Sequence, residues 1–395
     1  MSSQGSTSVW LSSLYFAKGM PRVVVFVIVL LLFKQMGLSG TQALCGVSLF
    51  YLPWTLKVWW KPRISAKHFR LLILTTQFLL ALTFALLAFL LTSLWLTVGL
   101  LVLLSWLTAV HNVAAGGFTR LYPLSYHHSV VQELFRKFGL IISQGVLLVL
   151  AGNLQVFFRH DIFYSWRVLF YFLSGIYLLL FFWHVWKLPR RRRDSGNASP
   201  SPLVSIQGGH VAFFLLAYAF AQGMTGKASI LFLIDTFRRG GVGLSPQEFG
   251  FVMGIVGIIG LTVGGLLGTK AIRRFGLSGS LWPMAMSMTV PCIVYVVLSF
   301  WQPRELILIG SCVLLEQFTY GFGFAAYLSV LRQVAPREQG KSLMALSFLL
   351  SCLVSAPLLS LLDYNAFFVL TLLLSALTPC AALVISKATI KKKEE

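Results

Sequence analysis

Few side chains in this sequence could do chemistry, and they stand out because their surroundings are apolar. Lys18 and Arg22 lie one helical turn apart, so both fall on one face of a helix. Lys227 and Glu316 are isolated in long apolar stretches, and His111 and Asn112 sit side by side in another. Gln144, Gln222, Gln317 and Tyr320 add further polar groups in such runs. An ammonium or guanidinium in a low-dielectric setting attracts anions, because its field is poorly screened there. A buried carboxyl can exchange a proton, and burial and nearby cations pull its proton affinity in opposite directions. An imidazole can relay a proton, and amides or a tyrosine can hold a sugar or peptide group. Each has a plainer reading. The cations can snorkel to an interface, Glu316 and His111 can be satisfied by neighbouring helices, the amides can bond helices together, and the tyrosine can pack.

The sequence offers nothing that reads as a catalytic centre. There is no His-Asp spacing, activated serine or paired carboxylate, and His127 and His128 have no metal-like company. The five cysteines, Cys45, Cys292, Cys312, Cys352 and Cys380, all lie in apolar stretches without metal-ligand spacing and read as small hydrophobes. No catalytic residue, metal or cofactor is therefore expected.

The elements that must position these residues are membrane spans. Hydrophobic residues make up 57% of the chain and charged ones 11%. A soluble domain carries roughly a quarter charged residues. Apolar runs long enough to cross a bilayer recur at about 11–33, 41–58, 69–92, 94–118, 133–156, 166–186, 210–235, 246–270, 278–300, 305–331, 341–362 and 365–386. The expected fold is an all-α polytopic membrane protein with about twelve transmembrane helices. The net charge of +21 sits mainly in alternate short gaps, as retention of Lys and Arg in cytoplasmic loops produces, which argues against nucleic acid as a partner. The rich gaps contain Lys57 to Arg70, Arg120 to Lys137, Lys187 to Arg193, Lys270 to Arg274 and Arg332 to Lys341; the opposite ones hold Lys34, Arg159, Arg167, Arg238, Arg239 and Arg304. Both termini are accordingly expected in the cytoplasm.

Residues 188–209 begin with an arginine run and continue Ser-, Pro- and Gly-rich, which reads as a cytoplasmic linker between a bundle over 1–187 and another over 210–395. A repeat supports that division. Phe16-Ala17-Lys18-Gly19-Met20 recurs as Phe220-Ala221-Gln222-Gly223-Met224, and Gly37-Leu38-Ser39 recurs as Gly243-Leu244-Ser245 at nearly the same offset. Two pseudo-symmetric six-helix halves describe the major facilitator architecture. Gly264, Gly265 and Gly268 have the small-residue spacing of close helix contact, expected to serve the rocking of those halves.

Four stretches carry a more specific resemblance: Leu14-Tyr15-Phe16-Ala17-Lys18-Gly19-Met20-Pro21, Tyr51-Leu52-Pro53-Trp54-Thr55-Leu56-Lys57, Leu281-Trp282-Pro283-Met284, and Glu316-Gln317-Phe318-Thr319-Tyr320-Gly321-Phe322-Gly323-Phe324. In these the chain resembles the muropeptide permease (AmpG-like) branch of the major facilitator superfamily. The resemblance implies proton-coupled import of peptidoglycan-derived muropeptides across a bacterial inner membrane. It has departures. His111 is followed by no acidic residue up to Phe118, and Ala219 and Gln222 stand where Arg and Glu are implied, whereas Lys227 matches.

The expectation is a secondary active transporter, acting as a monomer, that moves a polar or anionic organic solute by alternating access. Lys18, Arg22 and Lys227 against Glu316 leave about +2 in a central cavity, which favours an anionic solute. Proton coupling stays open. The alternatives are a facilitator-like scaffold or sensor that has lost transport and a membrane-embedded transferase.

Overall fold

The computed structural model describes residues 2–61, 64–122, 126–158, 161–190, 209–334 and 337–394. Most of the expected linker, 191–208, lies outside them. All regular structure among the described residues is helical. Nine of its helices are long and apolar enough to cross a bilayer. They are exposed along flanks that carry Trp95, Phe89, Leu179, Leu266 and Ile307. Water would not tolerate so much exposed hydrocarbon; lipid makes it the favourable surface.

The expected spans map onto this set with three differences. The second breaks into Gly40–Leu49, Leu52–Thr55 and Lys57–Trp60, with Pro53 in the first turn of the middle piece. The seventh is interrupted between Gly209–Ala217 and Phe220–Ile234. The eighth and ninth form one helical run through Pro246–Trp301, turned at Gly276, whose φ of 73° suits glycine.

The chain divides into two compact units. One combines the described residues of Met1–Leu32 and Trp59–Pro202, and the other those of Phe33–Val58 and Leu203–Glu395. The segment Phe33–Val58 groups with the C-terminal unit because its helices pack on Arg337–Leu361. Within the N-terminal unit, helices Ser2–Val23, Phe69–Leu90, Leu94–Thr119, Tyr126–Ile141 and Ile162–Lys187 pack together around Leu14, Phe84, Phe118 and Tyr177. Within the C-terminal unit, a core of Phe214, Tyr218, Met284, Met288 and Tyr327 joins the helices that carry them.

The sequence repeat corresponds to one local device used twice. Gly37 and Gly243 both take positive φ, 88° and 78°, which lets the chain reverse direction. Two residues later Ser39 and Ser245 each form a capping box, with Gln42 and with Glu248. Gly264 and Gly268 serve a different contact from the one expected. A side chain at Gly264 would overlap the Phe318 carbonyl, and one at Gly268 would come within 2.6 Å of the Phe322 carbonyl. They let Gly257–Ser287 approach Leu306–Val334 inside the C-terminal unit.

Candidate functional site

In the N-terminal unit, Lys18 is half-buried on Ser2–Val23, its Nζ 4.9 Å from the Tyr15 ring centroid. It leans on the helix Leu94–Thr119 at Gly116, where a side-chain carbon would sit 3.5 Å from Nζ. The same helix carries His111, fully buried, and Asn112, whose Oδ1 is buried without a hydrogen-bond partner. The structure thus brings Lys18 to the His111 helix. Arg22, one turn along, is exposed. Gln144 is half-buried in a π-helical turn, Ile142–Val146; such turns interrupt helices at functional positions more often than elsewhere.

Two adjacent residues on Phe69–Leu90 each hold a histidine. Thr76 Oγ1 lies 3.1 Å from His111 Nδ1, and Gln77 Oε1 lies 3.0 Å from His184 Nδ1. His184, on Ile162–Lys187, also meets Ser13 Oγ at 3.0 Å through Nε2, and Trp183 Nε1 donates to that same hydroxyl at 3.1 Å. Thr76 donates in turn to the Leu72 carbonyl at 2.5 Å, so its oxygen receives the Nδ1 proton of His111. His111 Nε2 and Gln77 Nε2 remain buried without hydrogen-bond partners. Ser13, Thr76, Gln77 and His184 are absent from the candidates drawn from the sequence. Only His184 offers a usable signal there, as a lone imidazole near the end of the apolar run 166–186.

In the C-terminal unit, Glu316 is 4% exposed. Its Oε1 accepts from Gln317 Nε2 at 3.1 Å, and its Oε2 is buried without a partner. The carboxylate acts electrostatically on Cys292 and Tyr295 of the neighbouring Val290–Trp301 helix. The buried Tyr295 hydroxyl lies beside the buried Ser229 hydroxyl. An unmet carboxyl oxygen is uncommon in a packed interior, which makes Glu316 a candidate for contact with a solute or ion. Lys227 is half-buried, its Nζ 5.9 Å from the Tyr51 ring centroid, and Tyr51 stacks on Phe348 at 6.1 Å.

Gln222 and Tyr320 have packing partners. Gln222 donates to the Met288 carbonyl, at the point where Gly257–Ser287 ends and Val290–Trp301 begins, and to Cys292 Sγ at 3.4 Å. It clamps that break. Tyr320 begins an aromatic ladder that runs through Phe324 and Tyr327 to Tyr218, with centroids 5.2, 5.3 and 5.6 Å apart.

A third constellation joins Lys34 and Arg239, read as loop charges, to Asp235, which was not singled out from the sequence. Asp235, at the end of Phe220–Ile234, is buried, with Lys34 Nζ 2.8 Å away and the Tyr364 hydroxyl donating at 2.6 Å. Arg239 stands at 4.0 Å. The pair ties three chain segments within the C-terminal unit.

The family model described as Major Facilitator Superfamily matches residues 11–358. The chain belongs to that superfamily. Its fold is similar to a bacterial homolog of the human lysosomal transporter Spinster, solved inward-facing and unoccupied, at TM-score 0.65 and 12% identity over 97% of each chain. It is also similar to the nucleoside transporter NupG, at TM-score 0.65 and 13% identity over 95% of this chain and 98% of that one. A bacterial homologue of the iron transporter ferroportin, inward-facing, follows at 0.63 and 15% over 98% of each. No curated protein matches the chain by sequence. This superfamily membership and the apolar helices make the protein a membrane-embedded transporter of the major facilitator kind, and point away from an enzyme. At such low identities the likeness to solved structures concerns fold alone.

Proposed function

We propose that the protein is a secondary carrier, active as a monomer in a bacterial inner membrane with both termini cytoplasmic, that moves a polar or anionic organic solute by alternating access of two six-helix halves. The observation that carries this reading is the burial of functional charge. Glu316 sits inside an apolar bundle with one carboxyl oxygen unmet, and Lys18 and Lys227 are half-buried on helices that the sequence repeat makes equivalent. Ionisable groups in such positions cost a few kcal/mol each, a cost that a site for cargo or a coupling ion accounts for. The cations favour an anion, and Glu316 is the candidate group for proton coupling.

The resemblance to muropeptide permeases makes muropeptides the first solutes to assay, and the fold relatives add nucleosides. The test is uptake of such a panel, with simpler organic anions, into proteoliposomes with and without an imposed pH gradient. Uptake of an anionic member that is lost in Lys18→Gln, Lys227→Gln or Glu316→Gln supports the reading. Unchanged uptake in all three, each still folded, removes the proposed site, and gradient-independent uptake removes proton symport.

A further inference from the structure

His111 and His184, the fully buried histidines among the described residues of the N-terminal unit, differ in what surrounds their second nitrogen. His184 presents Nδ1 to acceptors only, since Gln77 Oε1 lies 3.0 Å away and the Leu180 carbonyl also faces the ring. Nδ1 therefore carries a proton, and Nε2 is the atom that can gain or lose one. Nε2 faces Ser13 Oγ at 3.0 Å. That hydroxyl has a second use for its hydrogen, because the Trp10 and Val9 carbonyls stand 3.1 and 3.3 Å away on the same helix.

A hydroxyl offers one hydrogen and two lone pairs. With a neutral ring, Ser13 donates to Nε2 and accepts from Trp183. With a charged ring, Nε2–H and the Trp183 indole fill both lone pairs, and the hydrogen turns to the Trp10 carbonyl. The His184 ring nitrogens and the Ser13 hydroxyl are met in both states, and the unmatched Gln77 Nε2 is the same in each. His111 lacks this provision. Its Nδ1–H goes to Thr76, whose own hydrogen is committed to Leu72, and its Nε2 faces no partner, so a second proton there would be an unmet buried donor.

We propose that His184 is a reversible proton-binding site, in which rotation of the Ser13 hydroxyl exchanges the hydrogen-bond pattern while Gln77 and Trp183 hold theirs. The proposal is independent of the transport reading.

Other charged or titratable groups on the packed elements set the background. Ser2–Val23 brings Tyr15, Lys18 and Arg22. Phe69–Leu90 brings Arg70, which donates to the Val185 and Leu188 carbonyls just past His184. His111 comes from Leu94–Thr119, where the charges of His184 and Lys18 both reach it. Leu147–Phe157 brings no ionisable side chain, and Ile162–Lys187 itself adds Tyr164, Arg167, Tyr171, Tyr177 and Lys187. The charged ones are cationic, and they and burial both oppose a charged ring, so the saturated hydrogen bonding is what has to offset them.

Imidazole nitrogen NMR of the full chain in detergent, labelled at histidine, tests this; the resonance lost in His184→Gln and shifted in Gln77→Leu belongs to His184. The expected result is a single titration in which both ring nitrogens reach the charged-ring position. In Ser13→Ala the midpoint falls by about one pH unit, because the charged ring loses an acceptor worth more than the donor lost by the neutral ring. Ser13→Thr restores it. A ring that stays neutral down to about pH 4, or that titrates at the wild-type midpoint in Ser13→Ala, overturns the proposal.

Discussion

The two units bury different kinds of polar group. Among the described residues, the N-terminal unit buries the imidazoles of His111 and His184 beside Thr76 and Gln77, and the C-terminal unit buries the carboxylates of Asp235 and Glu316. A neutral imidazole is satisfied by one donor and one acceptor, which a hydroxyl and an amide on the next helix supply cheaply. A carboxylate needs a counter-charge, several donors or a proton. Asp235 has the first two, from Lys34 and Tyr364, whereas Glu316 has one amide and an unmet oxygen. A buried carboxyl that is fully paired ties helices together; one left half-paired is a candidate for contact with a ligand or ion.

That contrast can be broken most sharply at Asp235. Asp235→Leu strands the Lys34 ammonium at 10% side-chain exposure and should destabilise the C-terminal unit by about 3–5 kcal/mol. Thermal unfolding in detergent checks this, and the double variant Lys34→Met/Asp235→Leu should recover most of the loss. Next in size is the close helix contact at Gly264. Gly264→Leu forces Gly257–Ser287 away from Leu306–Val334 and should cost about 1–3 kcal/mol. Gly99→Leu, where nothing lies within 4 Å, should stay within about 0.5 kcal/mol on the same assay.

At Glu316 the expected signature is the reverse of that at Asp235. Glu316→Gln replaces a poorly met carboxyl with an amide of the same shape, so unfolding should shift by less than about 1 kcal/mol. Uptake should nevertheless fall about tenfold or more, the ~1.4 kcal/mol of one lost charged contact. A large loss of stability with uptake retained would place Glu316 with Asp235 as a tie. The smallest expected effects compare the repeated caps. Ser39→Ala and Ser245→Ala should each cost about 1 kcal/mol, and unequal costs in unfolding would show that the two turns are not one device.

The spans were legible because hydrocarbon thickness imposes a length that apolar runs reveal directly. The repeat was legible at Gly37 and Gly243 because a positive φ and a following serine cap restrict residue type. Glu316 stood out by its chemistry alone. What stayed hidden depends on tertiary distance. Lys34 read as a loop charge and Asp235 went unremarked, and only folding places them 2.8 Å apart. Ser13, Thr76 and Gln77 are ordinary helix residues until a histidine from another helix meets them. Gln222 was read as a site residue because it is an amide in an apolar run, and that amide is taken up by the Met288 carbonyl. The grouping of Phe33–Val58 with the C-terminal unit follows from packing on Arg337–Leu361, which no local pattern encodes.

Solute counterflow in proteoliposomes tests the central claim most directly, because it needs a carrier that cycles and does not need an ion gradient. Vesicles preloaded with an unlabelled anionic solute from the panel should transiently accumulate its labelled form above equilibrium, and Glu316→Gln or Lys18→Gln should flatten the overshoot. Saturable binding of that solute without any overshoot in the wild-type protein would contradict transport.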